Sequence, residues 1–284
     1  MRHNWGRFGS WIRAITMFAL LAIPSPGAFA QSRATGPHTT LTLLADRGAI
    51  VPGERMHLGV RFQMDKGWHI YWVNPGDSGE PPRVQWQLPA GFQVGAIDWP
   101  TPKRLNAPSI TDYGYEDEVL LMAPVHISAN LSGREKTTLS AKVSWLVCRE
   151  MCIPGKAQLT LQLPASNRSA RGTSEAHDFF EQARHELPQK PPASWKFAAI
   201  AEKNDFVLTV ETGKTEPVAT FFPLEPEQIK NDAPQVVTTF PKGARLRLQK
   251  SDGLLKPIPA LTGVLVLGAG RAYKISPSVK TVKR

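Results

Sequence analysis

Cys148 and Cys152 are the only cysteines in 284 residues, with three residues between them. Along one extended strand their Cα atoms would lie about 13 Å apart, beyond the roughly 7 Å that a disulfide can bridge. If Arg149, Glu150 and Met151 make a turn, the two become cross-strand neighbours at about 5.5 Å and can bond. A bridge closing so short a loop removes little unfolded-chain entropy, about 2 kcal/mol. That is a weak staple for a chain that is 42% apolar. A lone short-loop pair is better suited to thiol–disulfide exchange, in which a thiolate attacks a disulfide through a mixed intermediate. An inert structural bridge remains open beside that reading. Arg149 and Lys156 would favour a thiolate and Glu150 would oppose it, so sequence does not set the sign of the shift in thiol acidity.

Cys148, Met151 and Cys152 are also soft ligands of the kind that hold Cu(I), and His57, His69 and His126 fall on expected strands of the same region. No His-x-x-x-His or Met-x-x-Met repeat supports a metal site. No cofactor is therefore expected, with Cu(I) binding kept as the alternative. His69 reads as a packed, hydrogen-bonded histidine, and Met151 as a packing or partner-contact residue. Hydrolase motifs are missing: there is no G-x-S-x-G, H-E-x-x-H or Gly-rich phosphate loop. Asp112, Glu116, Asp117 and Glu118 form an acidic cluster that is expected to be solvated. Trp68, Trp72, Trp86, Trp99 and Trp145 resemble a carbohydrate platform, but sandwich packing accounts for them more simply.

The elements that must position the pair read as strands. Leu139, Ala141, Val143, Trp145 and Val147 share one parity, and Leu146 and Cys148 the other, so Cys148 projects from the less apolar face. Leu159, Leu161 and Leu163 give the returning strand its own core face, which puts the cysteines at the turn end of a hairpin. Met56 to Met64 and Val84 to Leu88 alternate with period two. Residues 67–82 (GWHIYWVNPGDSGEPP) read as a short aromatic strand entering a loop, residues 100–118 as a second long loop, and residues 119–127 as a strand. Strands at about ten-residue spacing suggest a β-sandwich. Ala176, Phe179, Phe180, Ala183 and Leu187 have helical spacing, with Thr173 or Ser174 as cap and Pro188 as stop. After residues 189–192, a linker, strands are expected at 206–211, 218–222, 236–240, 244–248, 261–267 and 271–275. The expectation is mainly β: an immunoglobulin-like sandwich over 31–168, helix and linker over 169–192, and a second small β domain over 193–284.

Arg2, Arg7 and Arg13 precede an apolar run over 15–23 and then Ala28-Phe29-Ala30. This is the pattern of a secretory signal peptide over residues 1–30, and it implies an oxidising compartment. The net charge is +10, but residues 31–190 carry 17 basic and 16 acidic side chains, and residues 191–284 carry 14 and 8. The excess is scattered over the second half without interleaved aromatics. It reads as a solvated face that could meet anionic lipid or an acidic partner, and nucleic acid is excluded.

WLVCREMCIP (145–154), KGWHIYWVNPGDSGEPP (66–82) and DYGYEDEVLL (112–121) together resemble the N-terminal periplasmic domain of the DsbD family of thiol:disulfide interchange proteins. The resemblance is to the branch that includes the ScsB copper-tolerance proteins. It covers about residues 38–165, and more loosely the helix and second β domain. It implies an immunoglobulin-like sandwich in the periplasm whose pair, matched here by Cys148 and Cys152, passes electrons to thioredoxin-like oxidoreductases. It implies protein-disulfide reductase-like activity linked to copper tolerance, with Cys152 meeting the partner and Cys148 resolving. It also implies a cap loop shielding the cysteines, matched by Asp112 and Tyr113, with Tyr115 the second candidate. Family members usually continue into a membrane domain and a thioredoxin-like domain. This sequence ends at Arg284 with neither, so the expectation is that a separately encoded membrane reductase supplies electrons, that the pair works from a different donor, or that the module has lost redox function. The different-class alternative is a non-catalytic periplasmic binding module with a structural disulfide, either a Cu(I)-binding protein or an assembly partner of a membrane reductase.

Overall fold

The computed structural model describes residues 33–107, 110–131, 135–166 and 174–281; the expected signal peptide (1–30) and Thr173 lie outside them. Eleven strands come first: β1 (Arg33–Gly36), β2 (Thr39–Ala45), β3 (Arg55–Met64), β4 (His69–Gly76), β5 (Arg83–Gln87), β6 (Phe92–Val94), β7 (Lys103–Ala107), β8 (Ile110–Glu116), β9 (Glu118–Ile127), β10 (Lys136–Cys148) and β11 (Cys152–Pro164). Helix α1 (His177–Glu186) follows. Then come β12 (Lys196–Ala201), β13 (Asp205–Glu211), β14 (Ala219–Pro223), β15 (Val236–Phe240), β16 (Gly243–Gln249), β17 (Gly263–Leu267), β18 (Arg271–Ile275) and β19 (Val279–Thr281).

The first eleven strands form an immunoglobulin-like sandwich. One sheet runs β1-β2-β3-β9-β6 and the other β11-β10-β4-β8-β7, with β5 also on β10. The alternation read from β3 and β10 is the core face: Leu58, Val60, Phe62, Leu139, Ala141, Val143, Trp145 and Val147 are buried together. The Trp145 indole lies over Gly155, its register partner. A Cβ at Gly155 would stand 2.9 Å from Trp145 Cδ2 and nearer to two other ring atoms, so glycine is what lets the indole lie flat there. The outer face of the first sheet is apolar too. Leu44, Leu120 and Met122 are covered by Ala176, Phe180 and Ala183 of the helix segment.

Residues 193–281 form a second β unit, with sheets β15-β16-β13-β12-β19 and β14-β17-β18 around Phe206, Leu208, Phe221, Leu246 and Leu265. Its smaller sheet also packs on the first sandwich. Phe222, Val264 and Ala272 join the first core, and Trp72, Tyr113 and Phe222 meet edge-on, with ring centroids 5.2–6.5 Å apart. The expected linker is tied down as well: Gln189 N donates to Ala272 O at 2.8 Å, and Lys274 N donates to Gln189 O at 2.9 Å.

Two expectations are corrected. Residues 100–118 are not a long loop. Within them β7 and β8 pair antiparallel from Lys103↔Gly114 to Ala107↔Ile110, because buried partners on β4 and the second unit complete the pairing. Ser174 does not cap the helix. Its hydroxyl donates to Ala45 O at 2.7 Å, the helix starts after Ala176 with no side-chain cap, and its entry is fixed by the sheet beneath.

Candidate redox site

β10 and β11 pair from Lys136↔Pro164 to Cys148↔Cys152, so the cysteines close the ladder at its turn end. They are disulfide-bonded, with Cα atoms 4.1 Å apart. That is nearer the ~4.5 Å spacing of a non-hydrogen-bonded cross-strand pair than the 5.5 Å expected. Arg149, Glu150 and Met151 make the turn, with Arg149 N donating to Met151 O at 3.2 Å. The two sulfur residues differ in burial. Cys148 is 2% exposed, whereas Cys152 is exposed, and Met151 beside it is 67% exposed.

Cys148 is covered by β4. Its register partner is His69, whose own partner on the far side is Glu116 of β8. Two residues along β4, on the same face, lies Tyr71, which is fully buried. Its hydroxyl is 3.5 Å from Cys152 Sγ and 3.5 Å from Ser78 Oγ. Ser78 in turn is held by Asp112: its backbone N donates to Oδ1 at 2.9 Å and its hydroxyl to Oδ2 at 2.8 Å. Gly79, with φ +74°, lies against the Tyr71 ring. Burial pushes the Tyr71 phenol above its ordinary pKa, and the Asp112 charge adds to this against the Ser78 hydrogen bond, so the phenol stays protonated. Burial pushes the His69 imidazole below its ordinary value, against the pull of Asp112 and Glu116.

The covering turn is fastened to the second unit. Asn231, 7% exposed, donates through Nδ2 to Asp77 Oδ1 at 2.8 Å and accepts at Oδ1 from the Tyr113 hydroxyl at 2.9 Å. Its carbonyl accepts from Arg104. Asn74 Nδ2 donates to Pro223 O at 2.8 Å. On the other flank, Trp68 is stacked between His38, at 3.8 Å, and the Arg149 guanidinium, at 5.3 Å.

Of the residues singled out from sequence, Cys148 and Cys152 are joined, and Asp112 reaches them through Ser78 and Tyr71. Tyr113 and Tyr115 lie on a strand, not a loop. Both are buried, with hydroxyls donated to Asn231 and to Pro100 O at 2.8 Å. Burial raises both phenols above their ordinary value. His57 belongs to a different cluster, with Asp46 and Arg184 under the helix, and His126 pairs with Arg55 and Gln93 at the end of β9. Sequence reasoning missed Tyr71, Ser78, Gly79 and Asn231. No local signal marks Tyr71 or Asn231, whose partners lie far away along the chain.

Residues 41–164 match the family model described as thiol:disulfide interchange protein DsbD, N-terminal. This stretch, which spans β3 to β11, is therefore similar to the DsbD N-terminal family. Among solved structures, the N-terminal periplasmic domain of ScsB from Proteus mirabilis is similar with a TM-score of 0.67 and 16% identity. The match covers 89% of this chain and 99% of that one, so the shared fold extends across both β units. The periplasmic chaperone SfaE (TM-score 0.21, 11% identity, 84% of this chain and 100% of that chain) is far less alike. So is the pilin subunit BcpA* of Bacillus cereus (0.29, 9%, 86% and 68%). No curated protein matches the chain. Among the described residues, no helix is long and apolar enough to cross a membrane.

Proposed function

We propose that the chain is a periplasmic thiol:disulfide exchange protein in which Cys152 meets the partner and Cys148 resolves. The observation that carries this is the asymmetry of burial at the hairpin tip: an exposed sulfur residue bonded to a covered one. In the reduced protein, the Cys152 thiolate attacks a partner disulfide and releases one partner thiolate. Cys148 then attacks Cys152 Sγ, closes the intramolecular disulfide and releases the second partner sulfur. Two cysteines are oxidised and one partner disulfide is reduced, a transfer of two electrons. A dithiol donor recharges the pair by the reverse sequence.

The family match and the exposed Met151–Cys152 edge support thioredoxin-like oxidoreductases as partners and a membrane reductase as donor. The cap role that the resemblance assigned to Asp112, Tyr113 and Tyr115 is divided here. Tyr71 supplies the aromatic shield, Ser78 and Asp112 hold it, and Tyr113 anchors the turn to the second unit. On this reading residues 31–168 do the exchange, 169–192 connect, and 193–284 brace the covering turn.

Equilibration with glutathione redox buffers, followed by thiol labelling, tests the reading. Half-reduction at a potential above about −300 mV is expected of an exchanging pair. A pair that stays oxidised far below that value is structural, and the proposal fails.

A further inference from the structure

The resolving step, taken as proposed above, needs the Cys148 proton to leave. An ordinary thiol is only a few per cent ionised at neutral pH, and a covered one less. Cys148 is covered, so solvent is poorly placed to take that proton.

The register supplies an acceptor. His69 is the direct cross-strand partner of Cys148, and side chains of such partners share a face with Cβ atoms about 5 Å apart. Tyr71, two residues on, shows that this face of β4 is turned to the sulfurs, because its hydroxyl reaches Cys152 Sγ. The His69 ring stands edge-on to Tyr71, with centroids 5.2 Å apart. His69 Nε2 is buried with no hydrogen-bond partner among the described residues. A buried polar atom left unpaired is costly. In the disulfide state neither sulfur carries a hydrogen. On reduction Cys148 gains one, and the unpaired nitrogen gains a donor.

The other groups facing this point are already engaged or are not bases. Asp112 accepts two hydrogen bonds from Ser78. Glu116 is paired with Lys103 at 3.5 Å. Tyr71 stays protonated, and Arg149 is a cation over Trp68. The imidazole, held neutral at pH 7 by burial, is the group able to accept.

We propose that His69 is the proton acceptor for Cys148 when the mixed disulfide resolves. The Cys148 Sγ–H proton passes to Nε2, and Nδ1 carries the hydrogen of the neutral ring. The electron pair left on Cys148 forms the bond to Cys152 Sγ. The bond from Cys152 Sγ to the partner sulfur breaks, and that sulfur departs as a thiolate. His69 then returns the proton to solvent.

The test uses the full chain carrying glutathione on Cys152 and follows glutathione release from pH 5 to 9.5. His69→Gln is expected to be at least about tenfold slower at pH 6–7, a modest share of what a positioned base contributes. The gap should close near pH 9, where hydroxide ionises Cys148 unaided. A wild-type profile in His69→Gln, or an equal slowing at every pH, overturns the proposal. A second measurement needs no substitution. The ¹⁵N resonance of His69 Nε2 should move when the disulfide is reduced, and an unchanged resonance also overturns the proposal. Glutathione release requires no protein partner. A wild-type chain that releases glutathione yet transfers nothing to thioredoxin-like proteins therefore defeats the exchange reading and leaves His69 in its role.

Discussion

Gly79→Ala should unseat the shield over the disulfide. The backbone there has φ +74°, and an added Cβ would stand 2.5 Å from Tyr71 Cε1 and closer still to Cζ and Cε2. Ordinary carbon contacts lie near 3.5–4.0 Å, so the ring must retreat by about 1 Å or more. Tyr71 is fully buried and has no free space to move into without opening the turn. The left-handed backbone costs roughly 1 kcal/mol for alanine, and overpacking adds roughly 1–3 kcal/mol, for a total of about 2–4 kcal/mol. For a chain of this size that lowers Tm by about 5–15 °C. Strain relieved when the turn opens raises the open population, by tenfold for each 1.4 kcal/mol. Reduction by dithiothreitol, followed by thiol labelling, should therefore accelerate at least about tenfold. Gly213→Ala is the control: it has φ +89° but nothing within 4 Å. It should lose roughly 1 kcal/mol and be reduced at the wild-type rate. Gly79→Ala with a lowered Tm but an unchanged reduction rate would refute the shield. An unchanged Tm would refute the packing.

Other substitutions probe the surroundings. Asn231→Ala leaves Asp77 Oδ1 and the Tyr113 hydroxyl without their partner. It should cost about 1–3 kcal/mol and speed dithiothreitol reduction, read in the same two assays. Asp46→Asn tests the helix anchor. Burial alone would raise the Asp46 carboxyl, but hydrogen bonds from His57 and the charges of His57 and Arg184 outweigh it and hold the carboxyl below the ordinary carboxylate value. A lowered folded-state value gives stability that is present above about pH 4 and lost as pH falls through that folded value. Urea midpoints of wild type and Asp46→Asn should therefore differ at pH 7 and converge toward pH 3. Met151→Asp, at a 67% exposed position, should leave Tm within about 1 °C because most of the side chain stands in solvent. It should also slow electron transfer to thioredoxin-like proteins in a coupled reduction assay.

How much could be read without coordinates depended on the distance along the chain to the partner. β3 and β10 were legible because alternation is local, and the cysteine hairpin because four residues of separation leave few geometries. β7 and β8 were not. Residues 111–116 (TDYGYE) are polar by type yet buried from Thr111 to Tyr115, since their apolar neighbours include Trp72 and Phe222. The same reason hid the shield. Tyr71 and Cys152 are 81 residues apart, and Asp77 and Asn231 are 154 apart. Within HIYWV every residue is aromatic, apolar or histidine, so period two gave no sign of which face met the sulfurs.

The most direct test of exchange through Cys152 is to incubate single-cysteine variants with thioredoxin-like proteins and resolve the products on non-reducing gels. Cys148→Ala, which keeps the exposed sulfur, should accumulate a dithiothreitol-sensitive mixed disulfide, and Cys152→Ala should give little or none. Capture by neither variant, or by Cys152→Ala alone, would contradict the account.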